Sequence, residues 1–224
     1  MQKIADLVIT GEVCADIGTD HGFIPFYLLQ NGLCPYVILS DIADGPLEKA
    51  MENSEALGIY DDFDIRKAPG LNSLSIGEAR TAIIAGMGGE LISSILSESP
   101  DIARSIRRFI LQPRSRSSVL RHFLLENSYR ICGEYLAREA GRISEIILCD
   151  KISDITENFD SELSFEIPVF LFQDNDPEIV KEFIDDKIRK TDAVLSELAG
   201  SDNAEKLSEW RTRFEELKNI RSRL

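Results

Sequence analysis

Histidine, cysteine and tryptophan are scarce in this chain of 224 residues, which has two, four and one of them respectively. The cysteines (Cys14, Cys34, Cys132 and Cys149) show no Cys-x-x-Cys spacing. A zinc site or a dithiol redox centre is therefore not expected, and buried reduced thiols in a cytoplasmic protein are. No apolar run is long enough to span a bilayer and no leader pattern is present, so no membrane association is expected either. Cations are outnumbered, with 25 Lys and Arg against 39 Asp and Glu, a net charge of −14. Bulk charge thus argues against general binding to nucleic acid. Repeats and low-complexity tracts are also missing.

One segment runs against the acidic balance. Between residues 102 and 125 lie Arg104, Arg107, Arg108, Arg114, Arg116 and Arg121, with no acid among them. Such a run is either a basic helix face or a local site for phosphate or RNA, and both readings stay open on the residues alone.

The first 150 residues alternate strand and helix signals. Strands are predicted over 13–17, 37–42, 63–67, 81–85, 109–112, 129–137 and 142–149, and helices over 23–31, 46–57, 90–97 and 116–127. Alternation of this kind requires a mostly parallel sheet covered on both faces. Only residues 138–141 separate the last two strands, so these form an antiparallel hairpin. The expected fold is an α/β, Rossmann-like class I methyltransferase sheet of seven strands. A connector over 151–175 leads to a charged region, where apolar residues at helical spacing and a turn composition at 200–203 predict an antiparallel, coiled-coil-like helical hairpin. Asp176 before Pro177 reads as an N-cap with proline at the first helical position. The expected domains are 1–152 for the cofactor and 153–224 for the helices, in a monomer or weak dimer.

The chemistry concentrates where predicted strands end. After the first strand comes Asp16-Ile17-Gly18-Thr19-Asp20-His21-Gly22, a strand turning tightly into a helix. The pattern Asp-x-Gly-x-x-x-Gly lacks the first glycine of a dinucleotide fingerprint, which favours a cofactor without phosphates, such as S-adenosylmethionine. Asp41 ends the second strand, where a carboxylate can accept from a ribose diol; Ile42 follows it. Two more loops share this rim, Ala68-Pro69-Gly70-Leu71 and Ala85-Gly86-Met87-Gly88-Gly89, and the fifth strand ends in Gln112-Pro113-Arg114. The cofactor-binding candidates are Asp16, Gly18, Thr19, Asp20, His21, Gly22, Asp41, Ile42, Pro69, Gly70, Leu71, Gly86 and Met87. Asp20, Met87 and Gln112 are the catalytic candidates and the six arginines the RNA candidates; no metal ligand is expected. Asp20 could instead cap the next helix, and Met87 could be plain core.

These residues carry a resemblance. The run Ala15–His21, Asp44-Gly45-Pro46, Ile84–Gly89, Leu111-Gln112-Pro113, Glu139-x-Gly141-Arg142-x-x-Glu145 and the helical hairpin together resemble the bacterial TrmK-type tRNA (adenine-N1)-methyltransferases. The resemblance covers nearly the whole chain. It implies S-adenosylmethionine as donor, S-adenosylhomocysteine as product and adenosine 22 of tRNA as acceptor. Three departures accompany it. The family usually has Gly-Asp-Gly-Leu where this chain has Ala68-Pro69-Gly70-Leu71, so an acceptor for the cofactor's adenine amino group is lost, at about 1.5–3 kcal/mol. Arg114 stands where the family has asparagine. Relatives also carry a longer basic N-terminal helix, of which residues 2–9 are expected to remain. A small-molecule methyltransferase of the same fold, and a non-catalytic tRNA-binding module with weakened cofactor binding, are the alternatives.

Overall fold

The computed structural model describes residues 1–139, 141–151, 162–200 and 203–224. A short helix α1 (Gln2–Ala5) precedes β1 (Cys14–Ile17), α2 (Phe23–Gln30), β2 (Val37–Asp41), α3 (Asp44–Leu57) and β3 (Phe63–Lys67). A single 3-10 turn (Gly70–Ser73) leads to β4 (Thr81–Gly88), α4 (Gly89–Glu98), α5 (Pro100–Ser105), β5 (Arg108–Ser115) and α6 (Ser117–Glu126). The hairpin strands β6 (Ile131–Glu139) and β7 (Arg142–Asp150) follow, then α7 (Glu162–Glu166), α8 (Pro177–Leu198) and α9 (Ala204–Arg221).

The seven strands form one sheet in the order β3-β2-β1-β4-β5-β7-β6. β1 pairs in parallel with β2 and β4, β2 with β3, and β4 with β5, whereas β5 and β7 are antiparallel. The central strands are buried on both faces, and Ala15, Ile17, Leu39, Ile83, Ile84, Ile110 and Leu111 are at most 1% exposed. That burial is why they read as unbroken apolar runs in the sequence. The chain leaves β2 going outward on one side and restarts at β4 on the other, so a crevice opens at the carboxyl end of β1.

All seven strands and the four predicted helices are present; β3 has its predicted bounds, and the others differ by one to three residues at one or both ends. The sequence reading missed α5 and α7. α5 is a turn and a half started by Pro100 with Ala103 as its one buried residue, too short for a periodic signal. Residue 140 of the predicted hairpin turn, residues 152–161 of the predicted connector and residues 201–202 of the predicted interhelical turn lie outside the described residues.

The chain divides into two compact units. One comprises Met1–Glu134 with Ser144–Val169, the other Tyr135–Ile143 with Phe170–Leu224. In the second, Asp176 caps α8 by accepting from the Glu178 amide at 2.9 Å, with Pro177 at the first helical position. Asn203 caps α9 through the Lys206 amide at 3.0 Å. α8 buries Val180, Phe183, Ile184 and Thr191, and α9 buries Leu217. Arg221 pairs with Asp185 across the two helices at 2.5 Å.

Candidate active site

β1 delivers the chain to Gly18, whose φ is +75°. The amides of Gly18 and Thr19 both donate to the Ser40 carbonyl, at 2.7 and 2.9 Å, which fixes the turn against the end of β2. A Cβ on Gly18 would stand 1.9 Å from Met87 Cε and 4.0 Å from an Asp41 carboxylate oxygen. Three strand ends therefore converge on a point that only a side-chain-free residue permits. Met87 reaches it through a bulge. The β4–β5 register shifts between Ala85 and Met87 and again between Met87 and Gly88, with Gly86 at φ +78°. The irregularity re-aims Met87 relative to a regular strand.

The turn is acidic. Asp16 is 6% exposed, and burial pushes its carboxyl up to about 6, with the charges of Asp20 and Asp41 pushing the same way. The Thr19 hydroxyl partly opposes this shift without reaching good hydrogen-bond geometry, because Thr19 Oγ1 and Ser40 Oγ are buried without partners. Asp41 accepts the Ala43 amide on Oδ1 at 2.8 Å and turns Oδ2 toward Gly18. Among the described residues no lysine or arginine pairs with Asp16, Asp20 or Asp41. A buried carboxylate and two buried hydroxyls without partners are costly unless a ligand supplies them. A cofactor bearing a cation and hydroxyl donors fits this set.

The remaining predicted residues spread around the same rim. Asp20 is exposed and lies 3.1 Å from His21 Nε2. His21 takes φ 63°, and its carbonyl accepts from Asn53 at 2.9 Å, an anchor that the sequence reading did not include. Gly22, in a left-handed conformation, is the N-cap of α2 and no side chain caps that helix, so the alternative role of Asp20 as a cap is not realised. Ile42 is 70% exposed and Leu71 only 1%. Leu71 is thus a core side chain, and only its backbone is left for a ligand. Pro69 is exposed and opens the 3-10 turn, and Gly70 packs on Ile95. Gln112 is 8% exposed and sits opposite Ala85 in the β4–β5 ladder. The Arg114 guanidinium lies over Gly86, 3.4 Å from where a Cβ would be.

The arginine run separates into different environments. Arg121 is fully buried. Its guanidinium donates to Glu134 at 2.6 Å, to Glu145 at 2.6 Å and to the Phe165 carbonyl at 2.9 Å. Glu134 in turn accepts the Val169 amide at 2.6 Å. The expectation that Arg121 meets RNA is therefore corrected: it is an interior ion cluster tying α6 to both hairpin strands. Its position between the buried Leu120 and Leu124 was the signal in the sequence. Arg107 and Arg108 share the buried Asp150, at 3.5 and 2.6 Å. Arg104 pairs with Asp101 at 2.7 Å, and Arg116 approaches Glu90 at 3.9 Å, both pairs exposed. The acids that neutralise this run lie outside it, mostly far along the chain. Arg114 and Arg116 remain on the cofactor rim.

No group of His, Cys, Asp and Glu able to hold a metal occurs among the described residues. No helix among them is long and apolar enough to cross a membrane.

Known proteins resemble this chain along nearly its whole length. Residues 1–147 match the family model described as a methyltransferase domain. The chain is 30% identical to the tRNA (adenine(22)-N(1))-methyltransferase of Bacillus subtilis, over 98% of this chain and 94% of that protein. The crystal structure of the B. subtilis m1A22 tRNA methyltransferase TrmK superposes with a TM-score of 0.83 at 26% identity, covering 98% of this chain and 96% of that one. A Streptococcus pneumoniae protein crystallised with S-adenosyl-L-methionine gives 0.84 at 26% identity, covering 98% and 97%. This chain belongs to the tRNA (adenine(22)-N1)-methyltransferase family.

Proposed function

We propose that the protein transfers the methyl group of S-adenosylmethionine to N1 of adenosine 22 in tRNA, as a cytoplasmic monomer or weak dimer. The observation that carries this reading is the convergence of Gly18, Met87 and Asp41 beside the unpaired, buried Asp16. Bound S-adenosylmethionine supplies a methyl on a cationic sulfur, which the adenine N1 lone pair takes as the carbon–sulfur bond breaks, the positive charge passing to the base. The donor is already activated, so the protein contributes chiefly position and orientation.

In this reading Asp16 receives the ammonium group of the cofactor and Asp41 the ribose diol. Gly18 lets the backbone approach, with Thr19, His21 and Gly22 completing the turn. Ile42, Pro69, Gly70 and the Leu71 backbone flank the adenine ring. Met87, a polarizable thioether, packs beside the reacting centre. Gln112 and Asp20 face the acceptor base, where the Asp20 carboxylate favours the cationic product. Arg114 and Arg116 take RNA phosphates at the rim. The target base must leave its stack to reach N1 chemistry, and the helices of the second unit add tRNA contact.

Labelled methyl transfer to unmodified tRNA, against the same tRNA with adenosine 22 replaced, tests the reading. Incorporation that vanishes with the replacement is expected. Equal incorporation into both would move the acceptor elsewhere, and none into either, with S-adenosylhomocysteine failing to raise the melting temperature, would favour the non-catalytic module that Pro69 suggests.

A further inference from the structure

Two glycines of β4 leave open spaces that donors on β5 line. A Cβ placed on Gly86 would meet Arg114 Nε and Nη2 first, both at 3.4 Å, and then Arg114 Cζ at 3.6 Å. Gly86 and its two chain neighbours aside, no other atom comes nearer to that point. A Cβ on Gly88 would meet only the Ser115 hydroxyl, at 3.4 Å. The shifts of register around Met87 bring these pairs together. Arg114 and Ser115 are exposed, and among the described residues neither side chain forms a hydrogen bond or an ion pair. Arg116, two residues on from Arg114, differs in having Glu90 within 3.9 Å. Nε and Nη2 form one edge of the guanidinium, a fork that takes two oxygens of an anion in parallel. In this chain the fork borders a space that any side chain at Gly86 would fill.

We propose that Arg114 and Ser115 anchor a phosphate flanking the acceptor adenosine and so hold the extruded base beside Met87, an inference that rests on the reading of the protein as a tRNA methyltransferase. Position and charge select this anion. Gly86 is joined directly to Met87, so the guanidinium carbon lies within about 9 Å of the Met87 Cα. A cation so near the reacting centre meets the phosphates of the modified nucleotide before any others along the strand. The cofactor carboxylate is the other anion within the cleft. It sits on the carbon that carries the ammonium, which Asp16 receives on β1, whereas Arg114 is on β5 with β4 between them. Methyl transfer also leaves a positive charge on the adenine. A bare guanidinium beside it opposes that charge, and one neutralised by phosphate does not.

Steady-state methyl transfer to tRNA joined from synthetic halves tests the anchor, with a neutral methylphosphonate in place of the phosphate on one side or the other of adenosine 22. In the native protein one of the two replacements is expected to lower kcat/KM about tenfold, the scale of a lost charge-assisted hydrogen bond. Arg114→Gln is expected to lower kcat/KM for unaltered tRNA as much and to be indifferent to that replacement. Arg114→Lys, which keeps the charge without the fork, is expected to recover part of the loss. S-adenosylhomocysteine affinity should be the same in all three proteins. The first comparison alters only the RNA, so the native protein decides it even if a variant fails to fold. A kcat/KM unmoved by either methylphosphonate, or an Arg114→Gln protein as sensitive to them as the native one, would overturn the proposal. Weaker S-adenosylhomocysteine binding in Arg114→Gln overturns it too, by giving Arg114 to the cofactor carboxylate. All these failures leave transfer to unaltered tRNA intact in the native protein. Absence of that transfer is instead the failure of the methyltransferase reading, and the anchor falls with it.

Discussion

The carboxylates around Gly18 and the arginines between residues 104 and 121 are both concentrations of one sign of charge, and the fold treats them differently. Asp16, Asp20 and Asp41 are brought together from two strand ends and a turn, with no lysine or arginine beside them among the described residues. The arginines are met by acids from elsewhere: Asp150 for Arg107 and Arg108, Glu134 and Glu145 for Arg121. A buried charge with its partners is architecture, and a buried charge without them is waiting for a ligand. Clustering along the sequence does not distinguish the two; only the partner does.

The sharpest break of this contrast is at Arg121. Arg121→Met leaves Glu134 and Glu145 facing each other in the interior, and urea unfolding should show a loss of about 3–5 kcal/mol. A loss below about 1 kcal/mol would mean that the cluster is not a structural unit. Gly18→Ala comes next. Alanine at φ +75° is strained by about 1–2 kcal/mol, and its Cβ must displace the Met87 methyl. The melting temperature should fall and S-adenosylhomocysteine should bind more weakly, whereas unchanged affinity would remove Gly18 from the cofactor cleft. The smallest effect is expected at Arg116→Gln. Its pair with Glu90 is exposed and long, so stability should change by less than about 1 kcal/mol, while tRNA affinity falls and becomes less salt-dependent. If tRNA affinity holds, the rim arginines do not touch RNA.

Much of this was legible before any coordinates. The parallel strands are buried on both faces, so 13–17, 37–42 and 81–85 stand out as apolar runs, and the short gap at 138–141 fixes the antiparallel hairpin. The Asp176-Pro177 cap is a local signal and was read locally. What escaped reading depends on partners distant in sequence. The bulge at Gly86 that aims Met87 is a mismatch between β4 and β5, invisible in either strand alone. The inward turn of Arg121 requires knowing that Glu134 and Glu145 project toward α6. The raised carboxyl of Asp16 depends on depth and on Asp41, 25 residues further along the chain.

Asp16 offers the most direct test, because its charge state links fold, cleft and cofactor. Its carboxyl ionises near 6 in the fold against an ordinary 3.8. Without a ligand, the penalty for holding it charged is fully present above pH 6 and is relieved as the pH falls toward 3.8. Asp16→Asn should therefore be the more stable protein at neutral pH, by up to about 3 kcal/mol. The bound ammonium reverses the preference, since it needs the carboxylate charged. The decisive measurement is S-adenosylhomocysteine affinity from about pH 8 down to about pH 5 in the native protein and in Asp16→Asn. The native affinity should weaken as the pH drops through about 6, by up to about tenfold per pH unit, while the variant binds weakly and evenly throughout. A native affinity flat across that range, equal to that of Asp16→Asn, would show that the unpaired carboxylate does not receive the cofactor.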